Sequence, residues 1–531
     1  MDKSKLKKFA TTIRVELIQL VSAKLEFLLN LDIDNLPVEY KSSQSHIKTI
    51  LNRSATVEQK EDFIEEVSYT WFNRLVALRF MDANNITDTL TITPLQEGAN
   101  PAIFTEAKEG TINDDLNVDK TKFYDLIDGK LKSSNPENEA YSMLFISICN
   151  YYSSIMPLQF ESIADYTELL LPDDLLSSNS VRAKVVESMS EEECKDIEII
   201  GWLYQFYIAE KKDDVFAALK KNKKITPSNI PAATQLFTPH WIVKYMVENS
   251  LGKLWMLNNP NSTLKEHMKY YIENSEESIT FLKISTPQEL TLLDPCCGSG
   301  HVLTYAFDLL TLIYEESGYS SSEIPSLILE NNLFGCDIDK RAAVLADFAL
   351  TMKARLYHRR FFRKNTNTNV IELQDFSSVE FKGIKNYGSL KVPISDDSFD
   401  DGVFGQSNAQ FELQKSILTS EFSCVVTNPP YMGAKGMNKE LSDFVKSRYP
   451  DSKSDLFAVF MERCLELTKP HGFMSMINQH SWMFLSSYEK LRIKIIEQQR
   501  IDTMVHLGPR AFEEIGGEVV QSVAFVLQKG K

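Results

Sequence analysis

The sequence of 531 residues predicts a mixed α/β fold, in which a mainly α-helical region precedes a mostly parallel sheet. In the first region, apolar residues recur every three or four positions, which is the period of a helix with one buried face. From Leu290 onward, short apolar runs alternate with amphipathic stretches, as in strands that are connected by crossover helices. We therefore expect an α-helical domain over residues 1–225 and an α/β domain over residues 226–531.

Two amphipathic helices are expected near the start of the chain. The first carries Leu6, Phe9, Ile13, Leu17, Leu20 and Val21 on one face. The second carries Phe63, Val67, Trp71, Leu75 and Leu78. Further helices are expected around residues 140–150 and 196–220. Residues 91–132 are polar and rich in turn-forming side chains, which predicts loops or insertions.

The composition restricts the classes of protein to which the chain can belong. A formal net charge of −16 disfavours a protein that coats nucleic acid, because phosphate affinity comes from Lys and Arg, although a cleft can still have a basic lining. The seven cysteines include no CxxC pair, which indicates a reducing, cytoplasmic compartment without a disulfide framework or metal site. Neither a membrane-spanning apolar run nor a secretory signal is expected.

A basic stretch, KKNKKITPSNIPAATQ, separates the two predicted domains at residues 220–235. It contains Lys220, Lys221, Lys223 and Lys224. The stretch has two interpretations, a phosphate contact or a solvated linker, and the sequence favours the linker.

The motif LTLLDPCCGSGH (290–301) predicts a strand that ends in Asp294, then a glycine turn and a helix. Gly298 and Gly300 allow a sharp turn and a close approach to a ligand at the carboxyl end of a strand, where open α/β sheets bind ligands. A carboxylate there would repel a pyrophosphate, whereas it suits the sulfonium and ammonium of S-adenosylmethionine. A plain strand–turn–helix is the alternative.

Two further carboxylates follow later strands. Asp337, in GCDID, is placed to accept both ribose hydroxyls, and Asp339 is expected to face solvent or to cap the next helix. Asp375, in LQDF, is a candidate acceptor for the adenine amino group of the cofactor, although an ordinary loop Asp fits equally well. An insertion is expected at residues 318–332. An acidic insertion is expected at residues 391–414, with Asp396, Asp397, Asp400 and Asp401.

The motif CVVTNPPYMG (424–433) predicts a buried strand that runs into Asn428, Pro429, Pro430 and Tyr431. The prolines remove two backbone donors and leave carbonyl oxygens free to accept from a substrate. The side-chain carbonyl of Asn428 is a second acceptor, and two acceptors on one amino group make its nitrogen nucleophilic toward a sulfonium methyl. Tyr431 offers a flat face for a planar base or amide. Alone, the motif also fits a tight turn.

DPCCGSG followed by NPPY resembles the amino-methyltransferases of DNA, with the cofactor motif first. The resemblance implies a Rossmann-like S-adenosylmethionine-dependent methyltransferase sheet with an antiparallel last hairpin. QLFTPHWIVKYMVE (235–248) resembles the helix that precedes the first strand and covers the cofactor. VHLGPRAFEEIGGEVVQSVAFVLQ (505–528) resembles the last hairpin, in which Phe512 would stack on the flipped base. The implied cofactor pocket comprises Thr238, Pro239, Asp294, Pro295, Gly298, Gly300, Asp337, Ile338, Asp375, Phe376 and Asn428.

The helical region, with EEVSYTWFNRLVALRFMDANN (65–85), resembles the large PglX-type adenine methyltransferases of bacteriophage-exclusion (BREX) systems. Similar helical regions occur in type I and type IIG modification enzymes. The resemblance implies N6-methylation of a flipped adenine in duplex DNA, together with partner proteins of a phage-defence or restriction-modification-like complex. Family members usually continue into a target-recognition domain after the last strand. The chain ends there, which implies that it is a fragment or that a partner supplies recognition.

Three other functions remain open at this point. The same NPPY chemistry methylates amides in proteins or adenine in RNA. A second alternative is a cofactor-binding scaffold or sensor of a defence complex that transfers nothing by itself. A nicotinamide dehydrogenase is a distant third, because DPCCGSG lacks the GxGxxG spacing and leaves NPPY without a role.

Overall fold

The computed structural model describes residues 2–30, 41, 44, 45, 47–49, 51, 56–160, 166–221, 223–273, 280–364, 366–376, 381–393, 405–509, 511, 512 and 521–530. The chain divides into two compact units, Met1–Tyr207 and Ile208–Lys531. The predicted boundary at residues 225 and 226 lies farther along the chain. Residues 208–225 lie with the second unit because Val215 and Ile225 are buried in its hydrophobic core. Within the described residues, no helix has the length and apolarity needed to cross a membrane.

The first unit is helical in its described residues. Its helices are α1 (Lys3–Asn30), α2 (Val57–Ala83), α3 (Ala102–Lys108), α4 (Lys120–Ile127), α5 (Pro136–Ser153), α6 (Tyr166–Leu169), α7 (Val181–Ser188) and α8 (Glu198–Tyr207). The predicted apolar faces of α1 and α2 are buried, except that Leu20 is 39% exposed. The prediction of loops for residues 91–132 is partly wrong. Helices α3 and α4 form there because Phe104 and Phe123 are fully buried.

The second unit contains a seven-stranded sheet with strand order β3-β2-β1-β4-β5-β7-β6. The strands are β1 (Leu292–Asp294), β2 (Leu333–Asp337), β3 (Asn369–Glu372), β4 (Phe422–Thr427), β5 (Thr468–Gln479), β6 (Gln499–Gly508) and β7 (Ser522–Lys529). Neighbours among β1 to β5 pair in parallel, whereas β7 is antiparallel to both β5 and β6. The predicted Rossmann-like sheet with an antiparallel last hairpin is therefore confirmed.

Helices cover both faces of the sheet. They are α9 (Ala209–Lys220), α10 (Ile230–Thr234), α11 (His240–Val247), α12 (Lys253–Asn258), α13 (His301–Glu316), α14 (Ile324–Asn331), α15 (Lys340–Tyr357), α16 (Ile384–Tyr387), α17 (Gly405–Thr419), α18 (Lys439–Arg448), α19 (Leu456–Glu466) and α20 (Glu489–Gln498). A π-helical turn, Glu248–Gly252, joins α11 to α12. Successive residues Leu292 and Leu293 belong to different hydrophobic clusters, as expected for a sheet that is buried on both faces.

The register of the parallel strands determines where the functional loops emerge. Asp294 lies opposite Gly335 of β2, and Thr427 lies opposite Met476 of β5. The carboxyl ends of β1, β2, β4 and β5 therefore share one edge of the sheet, where the predicted site residues follow these strands. The predicted insertion at residues 318–332 contains α14. Asp396, Asp397, Asp400 and Asp401 of the predicted acidic insertion lie outside the described residues, and α17 follows them.

Candidate active site

The loop after β1 contains two glycines in the left-handed region of the backbone. Gly298 has φ +51° and Gly300 has φ +82°, conformations that L side chains rarely adopt. A Cβ atom at Gly300 would lie 2.9 Å from the Cα of Ala346, so the loop packs directly against α15. A Cβ atom at Gly298 would meet nothing within 4 Å. The glycine turn therefore packs against α15 at Gly300, whereas the space beside Gly298 is open.

The carboxylate of Asp337, at the end of β2, holds this glycine loop. It accepts the backbone N–H of Gly298 at 3.0 Å and that of Asp339 at 2.8 Å. Removal from water raises the pKa of Asp337 to about 6. Asp339 accepts the N–H of Arg341 at 3.0 Å as the N-cap of α15, which confirms its predicted capping role.

Asp294 is buried at the end of β1, with 2% of its surface exposed. Its carboxylate accepts the N–H of Cys296 at 3.1 Å. Burial raises the pKa of Asp294 to about 7, and the negative charge of Asp337 acts in the same direction. Two carboxylates on neighbouring strands thus flank the glycine loop. A cation bound between them would be stabilised, and a pyrophosphate would be repelled.

The segment after β3 starts beside Asp337, because the N–H of Leu373 donates to the Asp337 carbonyl at 2.8 Å. Farther along this segment, Asp375 is exposed and accepts the N–H of Ile384 at 3.0 Å. Phe376 packs its ring against Phe411, with centroids 5.3 Å apart. The structure therefore gives Asp375 a local capping contact, and its role toward a cofactor stays a prediction.

Two other predicted cofactor residues contact neighbouring loops through their carbonyl groups. The carbonyl of Pro295 accepts the hydroxyl of Ser389 at 2.7 Å. The carbonyl of Ile338 accepts the ammonium of Lys385 at 2.8 Å. Both contacts hold α16 and the residues after it against the loops that follow β1 and β2.

Asn428 begins the loop after β4, and both its amide nitrogen and its amide oxygen are hydrogen-bonded. Its Nδ2 donates to the hydroxyl of Thr238 at 3.0 Å and to the carbonyl of Leu236 at 3.3 Å. These two acceptors orient the side chain, and its Oδ1 accepts the hydroxyl of Tyr431. Thr238, buried and followed by Pro239 at the N-cap of α11, was predicted for the cofactor pocket. The structure thus joins the two predicted sites through one hydrogen bond.

Tyr431 is held at both its hydroxyl and its ring. The hydroxyl lies 2.8 Å from Asn428 Oδ1 and 2.9 Å from the carbonyl of Ile477, and its single hydrogen serves one acceptor at a time. The ring lies 6.2 Å from that of Phe457. Between Asn428 and Tyr431, Pro429 is buried and Pro430 half-buried. The sequence predicted a stacking face for Tyr431, whereas the contact of its hydroxyl with Asn428 was missed.

Asp455 is a further residue that sequence reasoning missed. Its carboxylate accepts the N–H of Met432 at 2.9 Å, directly after the catalytic motif, and burial raises its pKa to about 6. It is also the N-cap of α19. An Asp before the apolar run LFAVF signals a helix start, but no local pattern links it to Met432. The contact between Met432 and Asp455 forms only in the folded chain, in which β4 and β5 lie side by side.

Phe512, the predicted stacking residue of the last hairpin, is 5% exposed. It belongs to the same hydrophobic cluster as Ile477 and Ala524. Residues 510 and 513–520 around it lie outside the described residues. Stacking of Phe512 on a base therefore stays a prediction.

Comparisons with known proteins identify one family and several proteins that this chain resembles. Residues 331–512 match the family described as Eco57I restriction-modification methylase. The chain is 38% identical, over an alignment of 568 positions, to an adenine-specific methyltransferase BrxX of Escherichia coli O9:H4 (strain HS), covering 92% of this chain and 46% of that protein. It is 38% identical, over an alignment of 625 positions, to an adenine-specific methyltransferase PglX of Lacticaseibacillus casei (strain Zhang), covering 100% of this chain and 51% of that protein.

A cryo-EM structure of a DrdV–DNA complex aligns with 99% of this chain and 42% of that chain, at 10% identity and a TM-score of 0.46. The chain spans about half the length of the two curated relatives it matches. The resemblance that the two motifs and the helical region predicted is confirmed by the sequence comparisons: the chain is similar, over nearly its whole length, to adenine-specific methyltransferases of the BrxX and PglX type.

Proposed function

We propose that this chain carries the methyl-transfer site of an S-adenosylmethionine-dependent, site-specific DNA methyltransferase that acts on N6 of adenine. The observation that carries the proposal is the hydrogen-bonded Asn428 at the end of β4, next to the glycine loop after β1 and the carboxylates that end β1 and β2. The names of the two 38%-identical relatives support adenine as the target.

The residues around the glycine loop fit the proposed cofactor. Asp294 and Asp337 supply negative charge for a cationic head group, and Asp337 would accept hydrogen bonds from the ribose hydroxyls. The free space at Gly298 allows a ligand to approach the backbone. Thr238 would close the pocket from the side of Asn428. When bound, S-adenosylmethionine supplies a methyl group on a positively charged sulfur.

The reaction loop, residues 428–438 between β4 and α18, would act on the acceptor by holding it. Asn428 Oδ1 and the carbonyl of Pro429 accept the two hydrogens of one exocyclic amine, which exposes the nitrogen lone pair toward the glycine loop. The amine loses one proton to water after transfer, so a strong general base is unnecessary. A duplex adenine must first rotate out of the stack, and the ring of Tyr431 would then support it. Asn428 Oδ1 has a second lone pair for the amine, and the Tyr431 hydroxyl can donate to the carbonyl of Ile477 instead.

Partners and location complete the proposal. The chain spans about half the length of its curated relatives. The activity of the whole protein, its DNA target and its partners are therefore part of this proposal. We propose that it works on duplex DNA in the cytoplasm, with other proteins of a BREX-type or restriction-modification-like phage-defence complex.

A pair of substitutions tests the proposal. Asn428→Ala removes the acceptor and should leave S-adenosylmethionine binding within about threefold of wild type while abolishing N6-methyladenine. Asp337→Ala should weaken cofactor binding by tenfold or more, since it removes both the ribose contact and the support of Gly298. Calorimetry on the purified chain measures binding, and long-read detection of modified bases measures the product in cells that carry the full system. Methylation that persists in Asn428→Ala would exclude the proposed role of this residue.

A second function is favoured by one contact. The hydroxyl of Tyr431 donates to the oxygen that a substrate amine would use and competes with it, which suits a cofactor-binding sensor that transfers nothing alone. In that case the wild-type chain binds S-adenosylmethionine and gives no product until partner proteins are added. Incubation with DNA, RNA and protein, followed by product analysis, separates adenine methylation from amide methylation.

A further inference from the structure

We propose that a strip of lysines beside the reaction loop binds the DNA backbone phosphates that flank the target adenine. This inference rests on the proposed function and identifies the face of the second unit that meets DNA. The lysine strip consists of Lys220, Lys221, Lys223, Lys224, Lys435, Lys439 and Lys453, all of which are exposed.

The basic stretch interpreted from the sequence as a linker is in fact packed against the reaction loop. Ile225 is buried, and its N–H donates to the carbonyl of Gly436 at 3.2 Å. The ammonium of Lys224 donates to the carbonyl of Lys435. The side chain of Asn438, which caps α18, also reaches the carbonyl of Ile225. Lys224 and Ile225 are therefore held beside residues 435–438, shortly after the NPPY motif, and the other lysines of this stretch directly precede them.

A third segment brings Lys453 to the same place. The N–H of Ala434 donates to the carbonyl of Ser454 at 3.0 Å, and Gly433 pairs with Asp455 in an isolated β-bridge. Three segments that are distant in sequence thus meet at the reaction loop. Each of them contributes at least one exposed lysine.

The charge of the strip contrasts with that of the chain. The chain has a formal net charge of −16, yet residues 215–229 contain no acidic side chain. Residues 433–443 contain only Glu440 and Asp443. In the third segment, Asp451 pairs with Lys494. A local concentration of positive charge beside a reaction loop in an acidic protein is what a polyanionic substrate requires.

Phosphates are the ligands that these groups suit. Lysine ammonium groups contact phosphate oxygens as point charges, position a duplex and carry no sequence information. A nucleotide that rotates out of the stack needs its flanking phosphates held, and the strip starts directly after the residues that would receive the base. An acidic protein surface is the competing partner, and the following measurement distinguishes the two.

The test compares two triple variants of the full chain. The strip variant carries Lys223→Gln, Lys435→Gln and Lys439→Gln. The control carries Lys269→Gln, Lys283→Gln and Lys364→Gln, which are exposed and lie in segments that lead into β1 and β3. Fluorescence anisotropy with a labelled random-sequence duplex gives the affinity over a range of salt concentrations, and calorimetry gives the affinity for S-adenosylmethionine.

We expect the strip variant to bind DNA more weakly. The logarithm of the binding constant falls linearly with the logarithm of the salt concentration. The slope of this line should be shallower by about 0.9 for each phosphate that the protein no longer neutralises, which gives a change of roughly two to three for the triple variant. The control should match wild type, and cofactor affinity should be unchanged in both variants. A strip variant with the wild-type slope overturns the inference, and so does a wild-type chain that does not bind the duplex. If wild type makes N6-methyladenine and the strip variant keeps the wild-type slope, only the role of the lysine strip is refuted. If the strip variant has a reduced slope but wild type makes no N6-methyladenine, only the proposed function is refuted.

Discussion

The buried carboxyl group of Asp294 should make cofactor binding depend on pH. Its pKa is raised to about 7 by burial, so the empty protein carries a proton there below pH 7. A cationic ligand requires the ionised form, and the proton must leave when the ligand binds. Affinity for S-adenosylmethionine should therefore be full above pH 7 and fall as the pH drops below 7, by up to tenfold per unit. Calorimetry at pH 8, 7 and 6 measures this.

Asp294→Asn provides the matched control for that titration. It should bind the cofactor more weakly at pH 8, and its affinity should fall less than that of wild type between pH 7 and 6, because the Asp294 carboxyl no longer titrates. Only Asp337, with a pKa of about 6, still contributes there. An Asp294→Asn variant with the wild-type pH profile would assign the titration to another group.

At the level of secondary structure, a buried ion pair fastens α12 to the edge strand β6. Lys253 Nζ lies 2.5 Å from Asp502 Oδ2, and the two side chains are 0% and 2% exposed. Nearby, the hydroxyl of Tyr245 in α11 donates to Thr503 of β6 at 2.8 Å. The helices before β1 are thus attached to the far end of the sheet.

Removing one member of this pair should be costly. Lys253→Met leaves a buried, unpaired carboxylate and should lower the free energy of unfolding of the second unit by about 3–5 kcal/mol. Lys253→Met with Asp502→Leu should lose less, because no charge remains unpaired. Lys265→Met, which breaks an exposed pair with Glu273, should cost no more than about 1 kcal/mol. Urea denaturation compares them, and equal losses for Lys253→Met and Lys265→Met would contradict the buried-pair argument.

The elements with strong local patterns could be predicted from the sequence. Helices α13 and α15 begin at His301 and Lys340, where the glycine turn and Asp339 place their starts. The short helices α3 and α4 were missed, because their polar flanking residues hide two small apolar faces. The parallel order of the sheet follows from the alternation of strands and helices in the sequence. The segment that contains Lys223 was predicted as a solvated linker, and this prediction is wrong because the segment packs against the reaction loop.

The candidate site could be predicted only in part, for a physical reason. Motifs identify Asn428 and Asp337 because glycines and prolines constrain the backbone around them. The bonds from Asn428 to Thr238 and from Met432 to Asp455 join residues far apart in the chain. Such pairings depend on strand register, and no periodicity in a single sequence encodes them.

At the level of the whole molecule, the cofactor loops lie in the unit Ile208–Lys531, whereas Met1–Tyr207 has its own core. S-adenosylmethionine should therefore slow hydrogen exchange in residues 296–300 and 336–339 and leave α1 and α2 unchanged. At a concentration a hundredfold above its Kd, a ligand adds about 2.7 kcal/mol to the free energy of opening wherever opening requires its release. Hydrogen–deuterium exchange with mass spectrometry measures both units in one experiment.

The variant Asp337→Ala should show less of this added protection at the same cofactor concentration, because tenfold weaker binding lowers the gain to about 1.4 kcal/mol. Equal slowing in α2 and in the glycine loop would mean that the first unit responds to the cofactor as well. That outcome would contradict a response limited to the second unit.

The amide of Asn428 that donates to Thr238 has a consequence for the order in which ligands act. In the proposed reaction, a methyl donor that shifted Thr238 would also shift the Asn428 amide that holds the acceptor, and thermodynamic reciprocity would make the influence equal in the opposite direction. We therefore expect the binding of the two proposed substrates to be coupled through the Asn428 side chain.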